Sequence, residues 1–260
     1  MSTFNPSFDE IRKRLLIPSL DIHEIQIRAF RAVDDPISSK AFAKGHLDVL
    51  NNFGLNLSSA KEGWISKPSV YVVIIESPDR QVVYGGARVE IFQDNCRLPI
   101  EAAVGEEAPE ISNFLKSRTS GKIGELCGLW NSLAVAGLGI GSVYSIRCAI
   151  AIAALIGLDE LVALCSPYTY RIAHQYGFKL LEEVGNKGAI PYAGANEIAH
   201  VTHQSNIHQL DGADLSVKEM IQTLRQNPNQ IRIDNGRKGK IEVHYQLGFS
   251  STQPYYFHRD

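Results

Sequence analysis

The stretch from Gly124 to Ser145, GELCGLWNSLAVAGLGIGSVYS, sets three alternating glycines, Gly137, Gly139 and Gly141, between a run that reads as a strand and one that reads as a helix. The first N–H groups of a helix have no partner inside it, the helix dipole favours negative charge there, and glycine lets an anion come close to the backbone. A phosphate group is the natural ligand of such a turn, and a tight turn against a sheet is its plain structural alternative. Two common phosphate motifs fail on residue identity. A dinucleotide fingerprint needs a third glycine where Ser142 stands, and an acid after the next strand, whereas Asp159 and Glu160 precede LVALCS. A P-loop needs Gly-Lys-Ser/Thr, which is absent.

Other chemistry-bearing residues are less organised. His200, His203 and His208 have a spacing that on a helix would bring two imidazoles together, but no nearby acid or cysteine completes a site, so no metal is expected. Trp64, Tyr71, Tyr84 and Trp130 fit strand cores, or the lining of an acyl pocket. Arg237 to Lys240 reads as a solvated hairpin tip. Cys96, Cys127, Cys148 and Cys165 lack paired short spacing and read as buried thiols of a reducing compartment.

The elements that must position the turn follow from periodicity. Ile22–Val33 alternates as a strand, and an acidic cap with an early proline opens a helix closed by Gly54. Ser69–Ser77 and Gln81–Phe92 flank Pro78-Asp79-Arg80 as an antiparallel hairpin. The acidic stretch from Gln93 to Glu110 reads as an irregular surface excursion before a helix around EISNFLKSR, with Glu101, Glu106, Glu107 and Glu110 near the cleft. Then come the strand IGELCGLWN, the glycine turn, a helix carrying only Arg147 as a charge, and the strand DELVALCS. Ser166 caps a helix with Pro167 at its first position and Gly177 at its end, and FKLLEEVG reads as a strand. Residues 186–206 are loop with one more strand, Ser216-Val217-Lys218-Glu219 is a capping box, and Asn235-Gly236 turns a closing hairpin. The order is that of a mixed α/β fold with a parallel crossover at the glycine turn.

These residues resemble the GNAT-type N-acyltransferase superfamily. The features that carry the resemblance are an acid opening a strand (Glu125), Leu129-Trp130-Asn131 on its later part, the loop AGLGIG from Ala136 to Gly141, and Gly177-Phe178 after a short helix. They span about residues 20–185. GGARVEIF, RLPIEAAVGEEAP and GELCGLW are also similar to the acyl-homoserine-lactone and N-acyl amino acid synthase branch, where Arg88 and Glu125 fall on functional positions, although Cys127-Gly128 replaces the Ser-Arg usual there. The resemblance implies a mostly antiparallel sheet with one parallel crossover, flanked by helices. It implies backbone donors for the pyrophosphate of acetyl-CoA or a longer acyl-CoA at Gly137, Leu138, Gly139, Ile140, Gly141 and Ser142, and strand edge for pantetheine at Leu129, Trp130 and Asn131. Glu125 would be the general base and Tyr170 the stand-in acid, since Ala173 occupies the place of the family's tyrosine; Arg88 would meet an acceptor carboxylate. Ala136 removes a side-chain donor that many members carry at the loop start.

Composition sets the outer bounds. With 260 residues, 44% of them hydrophobic, the chain can bury a full core, and it is read as one domain with its core over about 20–200 and a helix-plus-hairpin extension over about 210–250. A formal charge of −2 offers no field for nucleic acid. Leu126–Ile146 carries no charge, but Asn131, its serines and its glycines make it too polar for a bilayer helix, and no export signal is visible at the N-terminus; a cytoplasmic enzyme is expected. The resulting expectation is transfer of an acetyl or longer acyl group from coenzyme A to a small-molecule amine. The alternatives are a long-chain synthase fed by acyl carrier protein, and a degenerate acyl-CoA binder. A homodimer is admitted, and a nicotinamide dehydrogenase is the outsider.

Overall fold

The computed structural model describes residues 22–52, 62–104, 107–191, 198–236 and 239–249. Strand β1 (Glu24–Arg31) leads into helix α1 (Pro36–Asn52), whose first turn is capped by the Asp35 carboxylate accepting the Ser38 N–H at 3.0 Å. Gly54, the expected end of this helix, lies outside the described residues. The hairpin forms from β2 (Val70–Glu76) and β3 (Val83–Ile91), followed by helices α2 (Pro99–Val104) and α3 (Glu110–Lys116). The crossover is β4 (Ile123–Asn131), α4 (Ser142–Leu155) and β5 (Glu160–Cys165). Then come α5 (Pro167–Gln175), β6 (Lys179–Leu180), β7 (Ala189–Pro191), β8 (Ile198–Gln204), α6 (Leu215–Gln226), β9 (Asn229–Gly236) and β10 (Gly239–Gln246).

The strands make one sheet in the order β6-β8-β5-β4-β3-β2-β1-β10-β9, with β7 paired to β8. It is mostly antiparallel. The β4–β5 pair is parallel, as the crossover requires, and a second parallel pair joins β1 to β10, so the closing hairpin is built into the sheet beside the first strand. Alternation along the strands sorts side chains to two faces. Ile25, Ile27, Ala87, Val89, Leu126, Leu161 and Ala163 join the core beneath α4, a helix buried on almost every side because Arg147 is its sole charge. On the other face Val70, Val72, Ile74 and Trp130 pack under α1, and Ile123 and Val162 under α2 and α3.

Five expectations are corrected. The stretch after Gln93 is a surface excursion only in part: Asp94, Asn95, Arg97, Glu107 and Glu110 are exposed, but Leu98, Ile100 and Val104 are buried in the core with Glu101, and Glu106 lies outside the described residues. FKLLEEVG pairs only over Lys179–Leu180. His200 and His203 lie on strand β8, where odd spacing sends them to opposite faces, and the Asp214 and Ser216 side chains make no cap for α6. Gly236 pairs with Gly239, which moves the last reversal two residues on, to positions outside the described ones. Ser166 does cap α5, accepting the Thr169 N–H, with Pro167 in the first turn.

Candidate active site

Strand β4 carries the site, and a bulge shapes it. Trp130 pairs with Gly86 but Cys127 pairs with Arg88, so β4 holds one residue more than β3 between these points. Gly128 sits there at φ +57°, a left-handed conformation that a side chain resists, and a β-carbon would also lie 2.9 Å from Arg88 Nε. A bulge bends its strand. On the opposite edge β4 pairs with β5 only over Ile123–Glu160, Gly124–Leu161 and Glu125–Val162, while β5 continues against β8 to Cys165. Past Glu125 the two parallel strands therefore part, and the β4 edge from Leu126 to Asn131 faces a gap in the ladder.

The glycine turn follows the far end of this edge and leads into α4. Gly137, Gly139 and Gly141 stand at φ +79°, +78° and +132°, while the intervening Leu138 and Ile140 are buried in the core under α4. Alternation thus anchors the loop through its side chains and leaves Gly137 and Gly139 exposed. The Leu138 N–H donates to the Val135 carbonyl at 3.1 Å and is committed to the turn itself. Among the described residues, the Gly137, Gly139, Ile140 and Gly141 N–H groups donate to no backbone carbonyl, and no side chain caps α4 at Gly141. Asn131 ties β4 to this helix: its Nδ2 donates to Ser142 Oγ at 2.7 Å, and its amide lies where a β-carbon on Gly141 would fall. The Asn131 side chain therefore fixes the loop, and its backbone remains on the open edge.

Behind the edge lies a buried charge cluster on the α1–α2 face. Glu125, 2% exposed, accepts the Ile100 N–H from the start of α2 at 2.8 Å. Burial pushes its carboxyl up to about 8, helped by Glu90 and Glu101 and opposed by the Ile100 N–H and Arg88. Glu90, its register partner on β3, meets Arg88 Nη1 at 3.2 Å and Lys67 Nζ at 3.5 Å, and Cys127 Sγ donates to it at 3.8 Å. The Arg88 guanidinium lies 4.4 Å from the centre of a Trp64 ring. Burial, aided by Arg88, lowers His46 to about 4, and burial holds the Cys127 thiol well above its ordinary range. Glu101 accepts the Leu98 N–H and the Ser112 hydroxyl, which fixes α2 over Glu125.

The residues singled out from sequence are thus distributed unevenly. Leu129, Trp130, Asn131 and the glycine turn share the gap, with Glu125 and Arg88 behind it. Trp130 is buried with its ring edge-on to Phe42 at 5.7 Å and flush against Gly45 of α1. Tyr170 lies apart, stacked on His200 of β8 at 5.0 Å, one strand beyond β5 from Glu125, while Tyr176 donates to the Val143 carbonyl and pins α5 to the start of α4. Glu90, Lys67 and the α2 cap escaped the sequence reading. Pro99 at a helix start with Ile100 and Val104 at helical spacing was the available signal for the cap.

No protein-family model and no curated protein matches the sequence. Solved structures do. The N-acyl amino acid synthase FeeM from uncultured soil microbes superposes with a TM-score of 0.55 at 13% identity over 75% of this chain and 98% of its own. The CoA-dependent acyl-homoserine lactone synthase BjaI gives 0.51 at 12% identity over 78% and 90%, and a second such synthase, MesI, gives 0.51 at 11% over 77% and 95%. At these identities the likeness is one of fold. The chain shares the fold of these synthases.

Proposed function

We propose that the chain is an N-acyltransferase that moves an acyl group from a coenzyme A thioester to the amine of a small molecule by direct attack. The observation that carries this reading is the parting of β4 from β5 beside an α4 N-terminus where, among the described residues, the Gly137, Gly139, Ile140 and Gly141 N–H groups donate to no backbone carbonyl. The Gly137, Gly139, Ile140, Gly141 and Ser142 N–H groups would receive the pyrophosphate, and the open β4 edge would take the pantetheine amides as an added strand. An N–H at the bulge is suited to polarise the thioester carbonyl. Glu125 would take the proton that the attacking amine must lose, through a water because its carboxyl is enclosed. Its raised pKa suits a base working near neutrality. Free thiols ionise near pH 8.5, so the leaving thiolate needs no strong acid, and Tyr170 stays a weak candidate for that role.

Trp130 favours a short, acetyl-sized donor, because its indole packs edge-on to Phe42 and directly against Gly45. A second reading has its own support. N-acyl amino acid and acyl-homoserine lactone synthases superpose on the chain, one of them solved with isopentyl-CoA, which favours a longer acyl group and an acceptor carboxylate near Arg88. Acyl carrier protein as donor, a homodimer and a cytoplasmic setting belong to the same proposal; among the described residues no helix is long and apolar enough to cross a membrane. The test is thiol release from acetyl-, isopentyl- and long-chain acyl-CoA against a panel of amines and amino acids. Amine-dependent release supports transfer, and its acyl preference chooses between the two readings. Binding of acyl-CoA without release from any pair would leave a non-catalytic acyl-CoA binder.

A further inference from the structure

A cluster of two carboxylates and an imidazole lies far from the β4 edge, where the parallel pair β1–β10 joins the two ends of the fold. Glu24 and Glu242 stand opposite each other in register, and His244 follows two residues on, so all three side chains share one face. His244 Nε2 lies 2.7 Å from Glu242 Oε1 and 3.2 Å from Glu24 Oε1, and one ligand atom from each residue falls within 4.8 Å of the other two. A tetrahedral zinc ion with bonds of about 2.0–2.1 Å holds its ligand atoms about 3.3 Å apart, so small side-chain movements bring the three atoms onto one ion.

Two further features point the same way. Like charges directly opposite on neighbouring strands repel, and a divalent cation between the two carboxylates would offset both at once. Gln26 is paired in register with His244 on the same face, is 7% exposed, and carries a buried Nε2 with no hydrogen-bond partner. Which end of an amide is oxygen is fixed by its partners, and a metal at this site would select the orientation that turns the carbonyl oxygen to it. On the other side Ile231 and Ile233 of β9 pair with His244 and Glu242 and border the site with apolar surface.

We propose that Glu24, Glu242 and His244, with the Gln26 amide oxygen or water as fourth ligand, bind one zinc ion that clamps β10 to β1. Imidazole with carboxylates suits zinc better than magnesium or calcium, which prefer oxygen alone. The site is independent of acyl transfer. The experiment titrates ZnCl2 into the untagged, EDTA-stripped full chain by calorimetry, follows CoCl2 binding by visible absorption, and repeats both with His244→Gln, Glu24→Gln and His208→Gln. We expect one zinc per chain, a cobalt band of four-coordinate type without thiolate charge transfer, and loss of at least tenfold in affinity in the first two variants only. The melting temperature should rise by roughly 5–10 °C at free zinc about 100 times Kd. Circular dichroism without metal separates misfolding from lost ligation, and the Glu24 variant stands if the His244 variant does not fold. Absence of zinc heat in the wild type, or zinc binding that survives both substitutions, overturns the site.

Discussion

At the scale of single residues, Glu125 is the group on which proton removal from the amine would depend. Removing a general base typically costs roughly 10²–10⁴-fold in rate, so Glu125→Gln should lower kcat by that order while the calorimetric Kd for acyl-CoA moves less than about threefold. In the wild type, kcat/KM should climb with pH and level off above about 8, and the variant should lose this limb. The same ionisation bears on stability, with a definite sign. The folded chain holds the Glu125 proton up to about pH 8 while the unfolded chain releases it near 4.5, so the native state binds more protons in that window and this residue's contribution to stability falls as pH rises through it. Melting temperatures across pH 5–9 should therefore decline less steeply in Glu125→Gln. The sequence made Glu125 legible as a strand-opening acid. Its enclosure was not legible, because Ile100, Glu101 and Glu90 come to it from segments distant along the chain, and burial by distant segments leaves no local pattern.

Between elements, the controlling contacts are made by glycines. Gly141→Ala would force a side chain at φ +132° into the Asn131 amide, so both the loop and the start of α4 must shift; CoA affinity should fall at least tenfold by calorimetry with the fold retained by circular dichroism. Gly45→Ala acts elsewhere. Its new methyl would fall inside the Trp130 ring, and overpacking of this kind costs about 1–3 kcal/mol, read as a lower denaturation midpoint at unchanged m-value. The strand, glycine turn and helix were readable because alternation, positive-φ glycines and an almost uncharged helix all act locally. The β4 bulge was not, since GELCGLWN reads as an unbroken strand and only pairing with β3 shows the extra residue at Gly128. The histidines of β8 misled for a related reason, their spacing being compatible with two periods.

Across the whole molecule, one sheet binds the two ends of the described chain to the site. Val243, Tyr245 and Leu247 are buried in the same core as α4, and Arg147 of that helix meets Asp234 of β9 at 3.7 Å. Truncation after Gln226 should consequently abolish cooperative unfolding, seen as loss of the calorimetric transition, although the sequence suggested an appended hairpin. Length and composition indicated a chain able to bury one core, yet the parallel return of β10 beside β1 depends on contacts more than two hundred residues apart in sequence, which no periodicity records. The claim joining these scales is that the gap between β4 and β5 and the glycine turn together hold a pyrophosphate-bearing thioester. Calorimetric titration with coenzyme A, acetyl-CoA and acetyl-pantetheine, side by side, tests it most directly. Both CoA species should bind, and removing the nucleotide and its phosphates should weaken binding at least a hundredfold; equal binding of acetyl-pantetheine, or no binding of either CoA species, would contradict the claim.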